Sequence, residues 1–505
     1  MANNNRIKVG NIGKGAIISY VSIFLNIAIS FFYTPWMIRQ IGMSDYGLYS
    51  LILSFISYFL MDFGLHQAVQ RFIAKYRAEN NEDKVAKMVG LTTRVYLIID
   101  AVIFLVLLVC YFFISNIFTG LTPEEIEKLK GLYVIAAVFS ILNFMFKPMA
   151  GAMLAYEYFV QEKLLEMVNR VGTVVLVCAA LYLGADVFAL VLINGAVAFL
   201  TSVLKFVIFK CKSKLNIQWR YYDKAELKGI FSFSMWTFGI SLAQKLRVSL
   251  IPTILGIVSN STEIAVFALS ISLDGMIYTL SSALNGLFLP KVARESLNKD
   301  RDSINNLMVR VGRIQLYIIW LIFSGFCIFG MSFIHLWVGD AFRNAYYILI
   351  CGIAIQPILL TEHIAGDLVY VENKVRFTGT MIFVTSLIGL VAAILLARSL
   401  GALGAGIGSG IGLIVYIIWL NIFYKNNLKL NIGRFFKECH GKILPVLALL
   451  SIAVFVAVCF VDLNNWYKLI GAIAVYVVAY FVVAYFLIFN KEEKTIVKSL
   501  NILKR

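Results

Sequence analysis

Tyr96-Leu97-Ile98-Ile99-Asp100-Ala101-Val102-Ile103-Phe104-Leu105-Val106-Leu107-Leu108-Val109-Cys110-Tyr111-Phe112-Phe113-Ile114 contains one ionisable carboxyl, Asp100, in an otherwise apolar run. A helix needs about 20 mostly apolar residues to cross the hydrocarbon core of a bilayer. Barrel strands would be short and alternating, and this run is long and continuous. Backbone groups in hydrocarbon must be satisfied within their own segment, which leaves the α-helix. Comparable runs recur on both sides. They lie near 15–38, 47–68, 91–114, 131–155, 170–183, 187–209, 229–256, 263–290, 314–336, 345–366, 377–398, 402–424, 442–461 and 467–490. These are taken as spans 1 to 14, with a short and uncertain fifth. The expected fold class is all-α, a polytopic membrane protein of about fourteen transmembrane helices.

Composition agrees. Of 505 residues, 60% are hydrophobic and 14% charged, against about 25% charged in soluble proteins. Mean hydropathy is +0.84. The run from Gly15 to Ile38 is too long for the apolar region of a signal peptide, so it is expected to remain as the first span.

The formal net charge is +17. With the N-terminus inside, the inside segments hold 36 Lys and Arg and the outside segments and span ends hold 6. That asymmetry is the positive-inside pattern, and an error of one span would destroy it. The basic residues therefore mark topology, and no nucleic-acid partner is expected. Both termini are expected to be cytoplasmic. None of the seven cysteines forms a CxxC pair, so neither a metal site nor a disulfide framework follows. There is no P-loop, HExxH or triad arrangement, no cofactor is implied, and the chain is not expected to be an enzyme. The glycines Gly401, Gly404, Gly406, Gly408, Gly410 and Gly412 open span 12, where small residues allow close helix packing.

An internal repeat is visible. Ser44-Asp45-Tyr46-Gly47-Leu48-Tyr49 aligns with Thr262-Glu263-Ile264-Ala265-Val266-Phe267, and each stretch leads into the second span of a pair. Each pair ends in a long basic loop, with Gly90 and Gly312 at matching points. The unit is six spans, which leaves both copies in one orientation about an axis along the membrane normal. The expected division is a lobe of spans 1–6 at 1–210, a lobe of spans 7–12 at 211–428, and an extra span pair with a cytoplasmic tail at 429–505.

Ile41-Gly42-Met43-Ser44-Asp45-Tyr46-Gly47-Leu48-Tyr49, with Asp62-Phe63-Gly64-Leu65 and Arg71-Phe72-Ile73-Ala74, resembles bacterial polysaccharide transporters. These are the Wzx-type flippases of the multidrug/oligosaccharidyl-lipid/polysaccharide superfamily. The resemblance implies two six-helix lobes around a central cavity lined largely by spans 1, 2, 7 and 8. It implies a cell-membrane protein that moves a polyprenyl-diphosphate-linked oligosaccharide from the inner to the outer leaflet by alternating access. Membrane lipids, and polymerase or glycosyltransferase machinery, would be its partners. Lipid II flippases are related but typically carry arginines along the first two spans, whereas the first span here has only Arg39. A multidrug antiporter of the same superfamily is the alternative. A membrane ligase or polymerase is disfavoured by the short outside loop at 115–130.

Charges inside a bilayer are costly and are functional candidates. Span 7 carries Gln244, Lys245 and Arg247, and span 8 carries Asp274. Lys245 or Arg247 would attract the carrier diphosphate, with Arg suited to a bidentate contact; Lys245 and Asp274 would otherwise be an ion pair between helices. Asp100 and Lys147 lie at similar depth and are expected to pair within the first lobe, beside Pro148. Asp62 and His66 are four residues apart on one helix face and could carry a proton, or form a polar turn near the cytoplasm. Glu362, His363 and Asp367 are read as a solvated helix end.

Overall fold

The computed structural model describes residues 23–61, 64–219, 221–282, 288–298 and 300–495, and side chains at several positions of span 7 lie outside that set. Every regular element among these residues is a helix. Among the described residues nine helices are long and apolar enough to cross a membrane, and the pair Asn344–Leu359 and His363–Val371, bent by 63°, makes a tenth. Helix Val375–Asn427 has 53 residues, about 80 Å at 1.5 Å per residue, more than twice a ~30 Å core. It turns at Gly401, whose φ of 56° and ψ of −136° leave the helical region, so it supplies spans 11 and 12. The helix at 23–41, helix Met43–Phe59 and the helices at 224–258 supply spans 1, 2 and 7. All fourteen expected spans have a helix.

Two compact units emerge. One contains residues 1–268 and 394–402, the other 269–393 and 403–505. In the first, span 2 stops at Phe59, and a separate helix, Leu65–Ala78, follows Gly64 at φ 71°. That helix is amphipathic: Leu65, Ala68, Val69, Ile73 and Tyr76 are buried, while Lys75 and Arg77 close its last turn. Span 4 likewise runs from Pro123 to Phe144 and continues as Lys147–Ala155, and the two short helices pack together. The second unit repeats the device. Short helices Leu289–Leu297 and His363–Val371 follow spans 8 and 10 and pack on each other.

The two glycines matched by sequence do matching work. A Cβ on Gly90 would lie 2.1 Å from the carbonyl oxygen of Gln218, in the chain after span 6. One on Gly312 would lie 2.7 Å from the ring of Phe435, in the chain after span 12. Glycine lets each long helix, Glu82–Ile117 and Arg301–Val338, pass directly beneath the segment that leaves its own bundle.

The start of span 2 meets the start of span 8 within the first unit. Ser44 Oγ lies 3.0 Å from Ser261 Oγ, and a Cβ on Gly47 would lie 2.0 Å from the Ser261 carbonyl oxygen. Asp45 and Glu263 thus belong to the same end of the molecule, as parallel copies require. Asp45 pairs with Lys128 at 2.9 Å, and Glu263 accepts from the Ala402 amide at 2.7 Å. Glu125 joins the seal. Its Oε1 accepts from Ser44 at 2.9 Å and from Ser261, and its Oε2 accepts from the Thr122 amide at 2.9 Å in a capping box.

The glycines after 401 are packing surfaces, as expected. In the second unit a Cβ on Gly408 would lie 2.2 Å from the Ala393 nitrogen, and one on Gly412 2.7 Å from the Thr385 carbonyl. Both pairs straddle the turn at Gly401, so spans 11 and 12 form an antiparallel hairpin at backbone contact.

Candidate functional site

The fifth span corrects the expected boundary. Its helix is Phe159–Tyr182, not 170–183, so Arg170 lies inside the span instead of at its cytoplasmic end. Eleven residues from the helix start is about 17 Å, half of the bilayer core. Arg170 Nη2 donates to Ser30 Oγ of span 1 at 2.6 Å, and its Nε is buried without a hydrogen-bond partner. Tyr33 of span 1 and Tyr49 of span 2 lie within its electrostatic reach. A guanidinium at this depth survives because hydroxyls and ring edges replace its water.

Tyr49 also meets Asn194 of span 6, and Asn194 lines a cavity of about 540 Å³ inside the first unit. Span 2 contributes Leu53, Ile56 and Ser57, span 4 Ser140 and Asn143, and span 6 Ser202 and Lys205. Lys147 and His66, on the two short helices, also line it. The walls are largely satisfied. Asn143 accepts from Ser202 at 3.0 Å, and Asn194 donates to the Leu190 carbonyl at 2.8 Å. Gly151 makes room for His66, since a Cβ there would lie 2.8 Å from the His66 carbonyl oxygen.

Lys147 does not form the expected ion pair. Its ammonium donates to the Leu60 carbonyl, which the end of span 2 leaves over, and lies 4.8 Å from the Phe144 ring centre. Asp100 is buried at 6% exposure within electrostatic reach of Lys147, with Oδ1 lacking a hydrogen-bond partner. Lys205 instead pairs with Glu162 at 2.8 Å, both side chains being mostly buried. Among the described residues, the intramembrane cations of this unit, Lys147, Arg170, Lys205 and Lys245, all half-buried, thus outnumber its buried carboxylates, Asp100 and Glu162.

Lys245 is half-buried in helix Lys224–Val248, one turn before the break at Ser249. There span 7 crosses span 2: Tyr58 donates to the Ser249 carbonyl and lies 3.0 Å from Thr253 Oγ1. Gln244 and Arg247 are on the same helix, with side chains outside the described set, and Asp62 lies outside the described residues altogether. Asp274 belongs to the second unit, where it accepts from Gln356 of span 10 at 2.7 Å.

Sequence reasoning missed Glu162, Arg170 and Lys205 because Glu162 fell in the connection before span 5, while Arg170 and Lys205 were counted with the basic cytoplasmic ends of spans 5 and 6. The one available signal was the fifth span itself, whose fourteen expected residues were too few to cross a bilayer. Glu362 and Asp367 are likewise not a solvated helix end: they are 1% and 4% exposed.

The structure resembles a lipid II flippase, MurJ, in an inward closed conformation, with a TM-score of 0.72, 12% identity, and coverage of 93% of this chain and 97% of that one. It also resembles an inward-facing multidrug resistance MATE family transporter of the MOP superfamily, with a TM-score of 0.60, 14% identity, and 81% and 99% coverage. A eukaryotic MATE transporter gives a TM-score of 0.55 at 15% identity, with 87% and 98% coverage. At these identities the structural likeness establishes a shared fold alone. No curated protein sequence matches the chain. The model of one family, described as polysaccharide biosynthesis protein, matches residues 36–347, well over half of the 505, and the chain accordingly belongs to the polysaccharide biosynthesis protein family.

Proposed function

We propose that the protein is a flippase carrying a polyprenyl-diphosphate-linked oligosaccharide, such as an O-antigen, capsule or exopolysaccharide repeat unit, from the inner to the outer leaflet by alternating access. The carrying observation is the cation excess in the membrane core of the first unit, which centres on Arg170 and on the cavity bordered by Lys147, Lys205 and His66. A diphosphate crossing a low-dielectric core needs positive charge that persists there. Arginine keeps its proton under any plausible shift and can offer two parallel donors to phosphate. Lys245, Arg247 and Gln244 would extend the anionic path along span 7, with Asp274 tuning it from span 8. Asp62, His66, Asp100 and Lys147 would serve coupling or gating.

The lobe division at 210 and 428, the inner-membrane location and the cytoplasmic termini belong to the same reading. Arg170 brings a guanidinium to span 1 from span 5. The scarcity of arginines on span 1 therefore no longer separates a lipid II cargo from other glycans, and the shared carrier diphosphate is the specified chemistry.

The test is transport by the full chain in proteoliposomes, using a fluorescent polyprenyl-diphosphate oligosaccharide and a cationic drug as alternative cargoes. Flipping of the diphosphate lipid alone supports the reading. Drug-for-cation exchange without lipid flipping would replace it with the antiporter reading.

A further inference from the structure

The second unit buries carboxyl groups that the proposed cargo path does not use. Glu362 is 1% exposed and stands where span 10 bends by 63°, between Leu359 and His363. Neither of its oxygens has a hydrogen-bond partner. Asn421 of span 12 stands beside the carboxyl. Asn421 donates Nδ2 to the Ile417 carbonyl at 3.0 Å, and its Oδ1 is buried without a donor. Asp367, 4% exposed, lies one turn on; one oxygen meets His363 Nε2 at 3.3 Å, and its Oδ2 has no partner. Tyr424, also of span 12 and 4% exposed, faces both carboxyl groups.

Glu362 Oε1 and Oε2, Asn421 Oδ1 and Asp367 Oδ2 are thus buried acceptor oxygens with no donor on them. An ionised Glu362 would lose its hydration beside an Asn421 amide that already directs its Nδ2 to the Ile417 carbonyl. Two acceptors, a carboxylate oxygen and an amide oxygen, do not sit together in a dry place unless a hydrogen lies between them. We propose that Glu362 carries a proton that it donates to Asn421 Oδ1, and that Glu362, Asn421, Asp367 and Tyr424 form a proton-binding site at the bend of span 10.

Nearby charges leave Glu362 as the group that takes the proton. Asp367 has His363 on its own helix. Tyr416 and Tyr370 complete the surroundings of Tyr424. His440 of span 13 lies 3.1 Å from the Pro357 carbonyl and 3.4 Å from Thr361 Oγ1. On the helices packed against this segment, Arg301 is bonded to Glu372 and Arg313 to Glu493, while Lys291, Arg294 and Arg310 are exposed. Loss of the proton would leave a charge needing water, and the existing break in span 10 is where the helix can part to admit it. Proton exchange at Glu362 thereby becomes a step that moves span 10. That last consequence rests on the transport reading, whereas occupancy by a proton does not.

Dicyclohexylcarbodiimide reports the occupancy directly. It is apolar, and it adds to a protonated carboxyl as the oxygen bonds the carbodiimide carbon and the proton passes to nitrogen. The full chain in lipid nanodiscs is treated at pH 7 and its peptides are weighed. Glu362 is expected to be labelled at least tenfold more than the exposed Glu492, with the label gone in Glu362→Gln. Infrared difference spectra of wild type against Glu362→Gln should show one protonated carboxyl at pH 7. Equal labelling of Glu362 and Glu492 together with no infrared difference would overturn the site. Suppression of labelling by sodium chloride but not choline chloride would assign the pocket to a metal cation and also overturn it. In proteoliposomes, Glu362→Gln should flip lipid with a flattened pH profile, and an unchanged profile would remove Glu362 from the cycle. Labelling at Glu362 in a protein that flips no diphosphate lipid would leave the proton site standing and end the flippase reading instead.

Discussion

The two units repeat one helical plan and hold different charged groups within the membrane. The first surrounds a cavity with Lys147, Lys205 and His66 and places Arg170 beside it. The second buries Glu362 and Asp367 and ties its core with bonded pairs. There Arg313 holds Glu493 at 2.7 Å, and Ser324 and Ser451 both meet Tyr476. Fold geometry was duplicated, down to the short helices that extend spans 2, 4, 8 and 10, while the intramembrane chemistry diverged. Packing positions such as Gly90 and Gly312 carry the shared plan, and ionisable positions carry the division of labour.

The largest effect should come from cutting the bonded core of the second unit. Arg313→Ala leaves Glu493 buried with its countercharge removed, and deprives the carbonyls of Glu438 and Ile488 of a donor. Breaking a buried pair from one side costs about 3–5 kcal/mol, and a large fall in the thermal midpoint of the purified protein should register it. Replacing both partners, Arg313→Met with Glu493→Leu, should restore most of that midpoint. If the double variant melts with the single one, the pair is more than structural.

A smaller but functional loss is expected in the first unit. Arg170→Ala should lower lipid flipping by about tenfold or more, equivalent to ~1.4 kcal/mol, at equal membrane abundance. Arg170→Lys should recover part of it, because a point charge replaces a fork. Lys205→Ala is expected to cost stability as well, since Glu162 then loses its ion-pair partner.

The seal at the start of spans 2 and 8 offers a reversible break. Ser44 and Ser261 hydroxyls are 3.0 Å apart, so a Ser44→Cys/Ser261→Cys protein with its native cysteines replaced should cross-link under mild oxidant. Flipping should stop on oxidation and return on reduction. Full activity in the oxidised state would show that this contact stays closed throughout transport.

The smallest effect concerns Glu372, just beyond span 10. Burial pushes its carboxyl up, but hydrogen bonds and charge from Lys374 and Arg301 outweigh this and hold it below the usual carboxylate range. A depressed folded value contributes stability that is complete above the unfolded value of about 4.3 and is lost as pH falls through the folded one. Glu372→Gln should therefore cost at most ~1 kcal/mol at neutral pH and flatten the loss of stability below about pH 4.

Span number, the six-span repeat and the packing role of the glycines after Gly401 were legible, because apolar runs and small residues follow directly from life in lipid. The break before Lys147 was legible in Pro148, whereas those at Gly64 and around Glu362 were not, since the apolar run carries on through Leu65 and across Leu359 to Val371. Charged side chains misled where they are satisfied internally. Glu162, Arg170 and Lys205 look like polar span ends in sequence, yet Arg170 reaches Ser30 of span 1 and Glu162 pairs with Lys205 of span 6. Glu362 failed for the converse reason: nothing local to it in sequence distinguishes a dry helix bend from a wet helix end.

Native mass spectrometry of the full chain with a polyprenyl-diphosphate oligosaccharide tests the division of charge most directly. Dissociation constants would be compared for wild type, Arg170→Gln/Lys147→Gln and Glu362→Gln. The first-unit variant should bind at least tenfold more weakly than wild type, and Glu362→Gln should bind within twofold of it. Equal affinity in the first-unit variant and wild type, or a loss confined to Glu362→Gln, would contradict the assignment of the anionic cargo to the first unit.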